Sequence, residues 1–261
     1  MSDFGIIIEQ LRGTLKLDGM AEACYDVSKM PVHMRPGLEA LLARMIETEI
    51  RHRDDARTQK LLRAAKLPIK AHVEDVICSA ERNLTRDKWD ALSDCSFVRR
   101  AENALVTGAT GTGKSYAVSA LAHQACSIGM KTLYLNMNHF VPVMKQAYLD
   151  GTSEKLLGKL GKTDLLILDD FGMQMMTADI RSILLTLVVD RYEKKSLIVT
   201  SQLPVNSWYE YIAENSVADA MLDRLFNGSH HIDLTGPSMR KGNGYTTRSE
   251  ERFSRNAETD L

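Results

Sequence analysis

The sequence predicts an α/β protein: a parallel sheet flanked by helices, preceded by a small all-α N-terminal domain. Three observations predict it. From residue 103 onward, short apolar runs alternate with longer stretches of helical pattern. Those runs are continuous, as expected of strands covered on both faces. Residues 1–66, by contrast, read as helical throughout. Strands are expected at 104–107, 132–135, 165–168 and 196–200. Helices are expected near 115–127, 139–149, 153–160 and 177–194, the alternation that marks a parallel sheet.

The helical segment, residues 1–66, shows its clearest signal at Leu38, Leu41, Leu42, Met45, Ile46 and Ile50, which follow the stripe of an amphipathic helix. Pro36 precedes this stripe and Pro68 follows the stretch after it, where each punctuates the helix. Between Arg44 and Lys70 there are eight Lys or Arg against four acids. This excess fits either a solvated helix face or an arm that contacts nucleic-acid phosphates. On the second reading the contacts are Arg51, Arg53, Arg57, Lys60, Arg63 and Lys66. Residues 67–101 form a linker with lead-in helices, in which Trp89 and Phe97 serve as packing anchors. The sheet domain is expected at 102–240. Residues 241–261 are polar and rich in Gly, Arg and Ser, a loose tail by composition.

Composition narrows the function classes. With 261 residues, 44% hydrophobic and 26% charged, the chain can form one large domain or two unequal ones. The formal net charge is −1, so no global basic field announces nucleic acid, and any such contact must come from a local patch. Cys24, Cys78, Cys95 and Cys126 lie far apart, and His230–His231 do not complete a zinc set. They read as reduced thiols of a cytoplasmic protein, Cys126 as helix core. The opening MSDFGIIIEQLRG has only three consecutive apolar residues and early acids, unlike a secretory leader. No run approaches the ~18 apolar residues of a membrane span.

The segment Gly108, Ala109, Thr110, Gly111, Thr112, Gly113, Lys114, Ser115 fits G-x-x-x-x-G-K-[ST], directly after an apolar run and before a helical one. Glycines let successive backbone N–H groups turn inward around phosphate oxygens. The helix beginning at Lys114 adds its free amides and positive dipole end. Lys114 reaches the β and γ phosphates, the Ser115 hydroxyl ligates Mg²⁺, and Tyr116 completes the nucleotide-binding set. Further on, Leu165-Leu166-Ile167-Leu168-Asp169-Asp170 sets two carboxylates at a strand's carboxyl end, where open α/β sheets hold their ligands. Asp169 is placed to hold Mg²⁺ and Asp170 to orient or deprotonate an attacking water. The loop alone suits a kinase or a GTPase as well; with the two acids, an ATPase is favoured.

Taken in order, GATGTGKS, LLILDDFG, LIVTSQLPVNSW, MLDRL and LTGPSMR resemble the AAA+ ATPases of the DnaA/DnaC/IstB group. The stretches LKLDGMAEA, RAAKLP and DRYEKKSLIVTSQLP bring the resemblance closest to IstB-like transposition helpers. The resemblance implies an AAA+ P-loop core using ATP and Mg²⁺. It implies that Gln202 senses the γ-phosphate, in a segment where relatives often read Thr-Ser-Asn. It implies that Arg224 is an arginine finger donated to a neighbouring subunit, and that Arg240 contacts nucleotide or that neighbour. It further implies a homo-oligomer formed with ATP on double-stranded DNA, without sequence selectivity, and a transposase encoded by the same element as partner. The alternative within the group is a DnaC-like replicative helicase loader. Met173, Met175 and Met176, and the cluster Trp208, Tyr209 and Tyr211, read as packing groups.

Overall fold

The structure, a computed structural model, describes residues 3–240, so the expected polar tail at 241–261 lies outside the described residues. The N-terminal part holds α1 (Asp3–Glu9), which runs into a π-helical turn at Gln10–Thr14, then α2 (Asp18–Lys29) and α3 (Leu38–Ala65). Short 3-10 turns at Val73–Asp75 and Ala80–Arg82 lead to α4 (Arg86–Ser93) and α5 (Ser96–Arg99). The α/β part then runs β1 (Asn103–Gly108), α6 (Lys114–Ser127), β2 (Thr132–Asn136), α7 (Met137–Leu149) and α8 (Ser153–Gly161). It continues with β3 (Leu165–Phe171), α9 (Ala178–Arg191), β4 (Ser196–Ser201), α10 (Trp208–Ile212), α11 (Asn215–Phe226) and β5 (Ser229–Leu234).

The strands form one sheet in the order β2-β3-β4-β1-β5, with every neighbouring pair parallel. Period-2 alternation sorts the side chains onto two buried faces. Leu105, Leu166, Leu168, Leu197 and Val199 pack under α7, α9, α10 and α11. Ala104, Val106, Leu165, Ile167 and Ile198 pack under α6 and the lead-in helices, with Trp89 and Phe97 fully buried among them. The continuous apolar runs are explained: both faces are covered. β5 was not expected from the sequence. In Ser229-His230-His231-Ile232-Asp233-Leu234 only Ile232 and Leu234 are buried, because an edge strand is half covered and needs fewer apolar residues.

The predicted stripe of α3 divides. Met45 packs on the small cluster of Leu11, Ala21 and Cys24, whereas Leu38, Leu42, Ile46 and Ile50 are exposed. The physical reason is helical drift. Steps of four residues advance about 40° beyond a full turn, so the row winds off the face that α2 can cover. Where the two helices do meet, they touch closely. A side chain at Gly19 would lie 2.5 Å from the Thr48 carbonyl oxygen and 2.6 Å from the Glu49 Cα.

That contact completes the start of α2. Leu17 precedes the helix and offers no capping oxygen. The buried Glu49 carboxylate of α3 accepts the Gly19 N–H at 2.9 Å and the Met20 N–H at 3.2 Å, and Arg53 donates to it at 2.7 Å. Burial by itself raises the Glu49 pKa, but Arg53 and the two amides outweigh it and hold the carboxyl below its usual range. Beyond this point α3 leaves the bundle and lies along α6 and β2, where Arg57 donates to the Gly129 carbonyl.

Glu49→Gln is therefore expected to cost about 1–2 kcal/mol at pH 7, measured by denaturant unfolding. Because the folded-state pKa is lowered, the ionised group contributes its stability above the ordinary glutamate value, about 4.3, and loses it as pH falls through the folded value. The gap between wild type and variant should therefore shrink at pH 3. An equal gap at both pH values would show that the charge on Glu49 does not cap the helix.

Candidate phosphate-binding site

The carboxyl ends of adjacent strands converge on a cleft of about 440 Å³. β1 ends at Gly108 and turns through the glycine-rich loop into α6; β3 ends with the two aspartates; β4 runs into Gln202. The cleft wall includes Thr110, Gly111, Gly113, Lys114, Ser115, Tyr116, Asp170, Gln202 and Arg240. Gly108, Ala109, Thr112 and Asp169 support that wall without forming it: Thr112 and Asp169 are buried behind it, and Lys114 Nζ donates back to the carbonyls of Gly108 at 2.7 Å and Ala109 at 2.9 Å. Burial lowers the Lys114 pKa, and the nearby Asp170 and Asp169 act against that shift.

Asp169 is the most enclosed ionisable group of the site. Its Oδ2 accepts the Ser115 hydroxyl at 2.9 Å and the Tyr134 hydroxyl, while its Oδ1 accepts the Thr200 hydroxyl. Burial and the Asp169 charge together push the Tyr134 phenol far above its usual pKa, so it stays a donor. A carboxylate and a hydroxyl 2.9 Å apart form a hard oxygen pair. They suit a small divalent cation that takes its remaining ligands from phosphate and water.

Asp170 adopts a left-handed backbone, φ +61°, at a register break of the β3–β4 ladder between Leu168 and Phe171. The irregularity turns the second carboxylate out of the strand and into the cleft. Its amide donates to the Thr200 hydroxyl at 3.1 Å, and its Oδ2 accepts the Asn136 side-chain amide at 2.8 Å. Gln202 reaches across to the glycine-rich loop, where its Oε1 accepts the Thr110 hydroxyl at 2.6 Å. Chain 236–240 straps the loop from outside. Met239 N–H donates to the Gly111 carbonyl at 2.9 Å, and a side chain at Gly111, φ +88°, would lie 2.3 Å from Ser238 Oγ. Arg240 at the end of that strap lines the cleft of its own chain.

Arg224 is elsewhere. It sits in the last turn of α11, donates to the Ala220 carbonyl at 2.6 Å and stacks 5.8 Å from the centre of the Tyr192 ring. Its own carbonyl accepts from Asn103, the first residue of β1. The whole of β1, roughly 16 Å at strand rise, separates Asn103 from the loop at Gly108. The basic set on α3 is also divided. At about 100° per residue Arg53, Arg57, Lys60 and Arg63 share one side, Arg51 faces away, and Lys66 caps the helix with φ +55°. All six are exposed, but Arg53 is paired with Glu49 and Arg57 with the Gly129 carbonyl.

Several contributors were not read from the sequence. Tyr134 and Asn136 come from β2, whose polar carboxyl end beside β3 was the available signal. Ile69, Val76, Ile77 and Arg82, from the lead-in segment, form another wall of the cleft, and no local pattern marks them. The methionines split: Met176 is buried, Met173 and Met175 are exposed. Trp208 is fully buried against Phe171 and Phe226, as a packing group should be.

Comparison with known proteins fits this geometry. The chain is 38% identical over 227 residues to an insertion sequence ATP-binding protein of Sinorhizobium fredii, covering 87% of this chain and 92% of the relative. It is 26% identical over 233 residues to the insertion sequence IS21 ATP-binding protein of Pseudomonas aeruginosa, covering 89% and 88%. Among solved structures, DnaI superposes with a TM-score of 0.54 at 19% identity, over 68% of this chain and 94% of that one. AMPPCP-bound DnaA from Aquifex aeolicus superposes with a TM-score of 0.53 at 21% identity, over 64% and 51%. These neighbours share the AAA+ fold. The family model described as IstB-like ATP binding protein matches residues 10–247, and the chain belongs to that family.

Proposed function

We propose that this protein is an ATP-dependent, DNA-binding regulator of transposition that oligomerises on target DNA and recruits or stimulates a transposase. The observation that carries the reading is the separation of Arg224 from the cleft of its own chain. A guanidinium at the far end of β1 can complete only a neighbour's site, so hydrolysis requires assembly. Relatives named for insertion sequences supply the context of the partner. Helicase loaders share the fold at low identity, which favours them no further.

The loop amides and Lys114 hold the triphosphate, and Arg240 adds a second cation at the mouth of the cleft. Ser115 and Asp169 are the residues that hold Mg²⁺, which neutralises phosphate charge when bound. Asp170 accepts a proton from the attacking water, and its bond from Asn136 fixes where that carboxylate points. Gln202 orients the water. DNA is held mainly through phosphates by Lys60 and Arg63, which share one side of α3 and, like Arg51 on the opposite side, have no hydrogen-bond or ion-pair partner among the described residues, unlike Arg53 and Arg57.

Sizing the protein on duplex DNA with ATP, a nonhydrolysable analogue or ADP should give large DNA-bound oligomers only in the triphosphate states. A single chain on duplex under all three conditions removes the reading. Asp170→Asn and Arg224→Ala should each bind ATP and lose most hydrolysis. Mixed together they should regain part of it, because some interfaces then pair an intact cleft with an intact Arg224; a mixture as inactive as its parts argues against a shared site. Exchanging Lys60 and Arg63 for Gln should weaken duplex binding about equally for all sequences and lower the salt slope by about one per residue. An unchanged slope places the DNA contact elsewhere.

A further inference from the structure

Beyond the phosphate loop, one wall of the cleft carries a buried cation with no acidic partner. Arg82, at the end of the 3-10 turn Ala80–Arg82, is 8% exposed. A guanidinium offers five N–H donors. Nη2 donates to the Thr112 carbonyl of the glycine-rich loop at 2.7 Å and Nη1 to the Ile77 carbonyl, while Nε has no partner among the described residues. No carboxylate of the described residues pairs with it, although Asp75 lies on the same wall. A buried charge without a counter-ion is costly, and two carbonyls do not neutralise it.

Arg191 shows what a structural arginine looks like in the same chain. It is more deeply buried, at 1% exposure, and its Nε is also unpartnered, but its two terminal nitrogens meet four acceptors: Leu160 O, Thr163 Oγ1, Asp164 O and Ser196 O. The Asp164 carboxylate, itself ion-paired with Lys195, offsets part of the cost of burying that charge, and Arg191 does not line the cleft. Arg82 has half as many bonds, no compensating acid, and a place in the cleft wall.

The loop accommodates Arg82 closely. Gly113, φ +90°, gives way to it: a side chain there would lie 2.9 Å from Nη2. The turn that carries Arg82 is fixed, since Thr235 N–H donates to the Arg82 carbonyl at 3.2 Å and the Thr235 hydroxyl donates to the Glu81 carbonyl at 2.6 Å. The guanidinium is thus held ready against Thr112 and Gly113, on the side of the loop where the lead-in residues Ile69, Val76 and Ile77 close the cleft.

We propose that Arg82 is a phosphate-binding residue of this site, the counter-ion of a bound nucleoside diphosphate or triphosphate. The inference rests on the nucleotide reading above and extends it to the lead-in segment. That segment joins the N-terminal helices to the α/β part, so nucleotide occupancy is felt directly at the junction. Arg82 is a binding residue and takes no part in the chemical step.

The test uses the full chain and ADP, whose phosphates Arg82 would contact without help from a neighbouring subunit. Calorimetric titration should show Arg82→Gln binding ADP about tenfold or more weakly than wild type, with Arg82→Lys, which keeps the charge but loses the fork, in between. The rise in melting temperature caused by ADP should shrink in the same order. A purely structural arginine would instead lower the nucleotide-free melting temperature and leave ADP affinity intact, which overturns the proposal. Should Arg82→Gln not fold, the wild type labelled with ¹⁵N-arginine decides. The Nε–H resonance missing in Arg82→Lys should move on addition of ADP, and a resonance that stays put overturns the proposal. If wild type binds neither ADP nor ATP, the nucleotide reading itself fails; if wild type binds and Arg82→Gln binds equally, only the present inference does.

Discussion

The buried Asp169 carboxylate ties the sheet to the phosphate loop. It belongs to β3, and it accepts hydrogen bonds from the hydroxyls of Ser115 in α6, Tyr134 in β2 and Thr200 in β4. A carboxyl group at 1% exposure is tolerated only when its polar atoms are hydrogen-bonded, so these four elements are held together by one side chain's need for donors. The same bonds set where the hydroxyl and carboxylate of a cation site can stand. Fold and site share a single constraint here, and loosening either end disturbs the other.

Sheet length imposes a second constraint. Because β1 runs unbroken from Asn103 to Gly108, buried as far as Thr107, the end of α11 that Asn103 holds cannot approach the loop of its own chain. Asn103 also accepts the Leu197 amide, so the α11 terminus is fastened to two strands at once. The Arg224 guanidinium, half-buried on the Tyr192 ring and bonded to the Ala220 carbonyl, is therefore held away from the cleft of its own chain. Within the proposed reading, this makes assembly the event that completes the chemistry, and lets the triphosphate act as a linker between subunits.

The N-terminal helices follow a different logic from the sheet. Their core is small, made of Leu11, Ala21 and Cys24 with Met45 and a few partly covered neighbours. Backbone contact at Gly19 and a borrowed cap from Glu49 do much of the fastening. α3 then continues past the bundle to lie on α6 and β2, so one long helix spans both parts. Exposed apolar residues along its first half are the result of too few helices to cover a row that winds around it.

Sequence alone determined the fold class, four of the five strands, the phosphate loop and the paired aspartates. Each of these is a local pattern: continuous apolar runs mean two covered faces, and a glycine-rich turn between strand and helix means backbone amides in one place. Tertiary structure decided what depends on neighbours far apart in the chain. β5 exists because an edge is available beside β1, although its own residues are half polar. The cap of α2 comes from a residue about thirty positions away. Arg82 enters the cleft only because the lead-in segment folds against the loop, and Tyr134 and Asn136 reach the two aspartates only because β2 lies beside β3. Whether a side chain such as Arg53 or Arg57 is free for a partner was likewise settled by the acceptors that the folded chain places beside it, which no periodicity encodes.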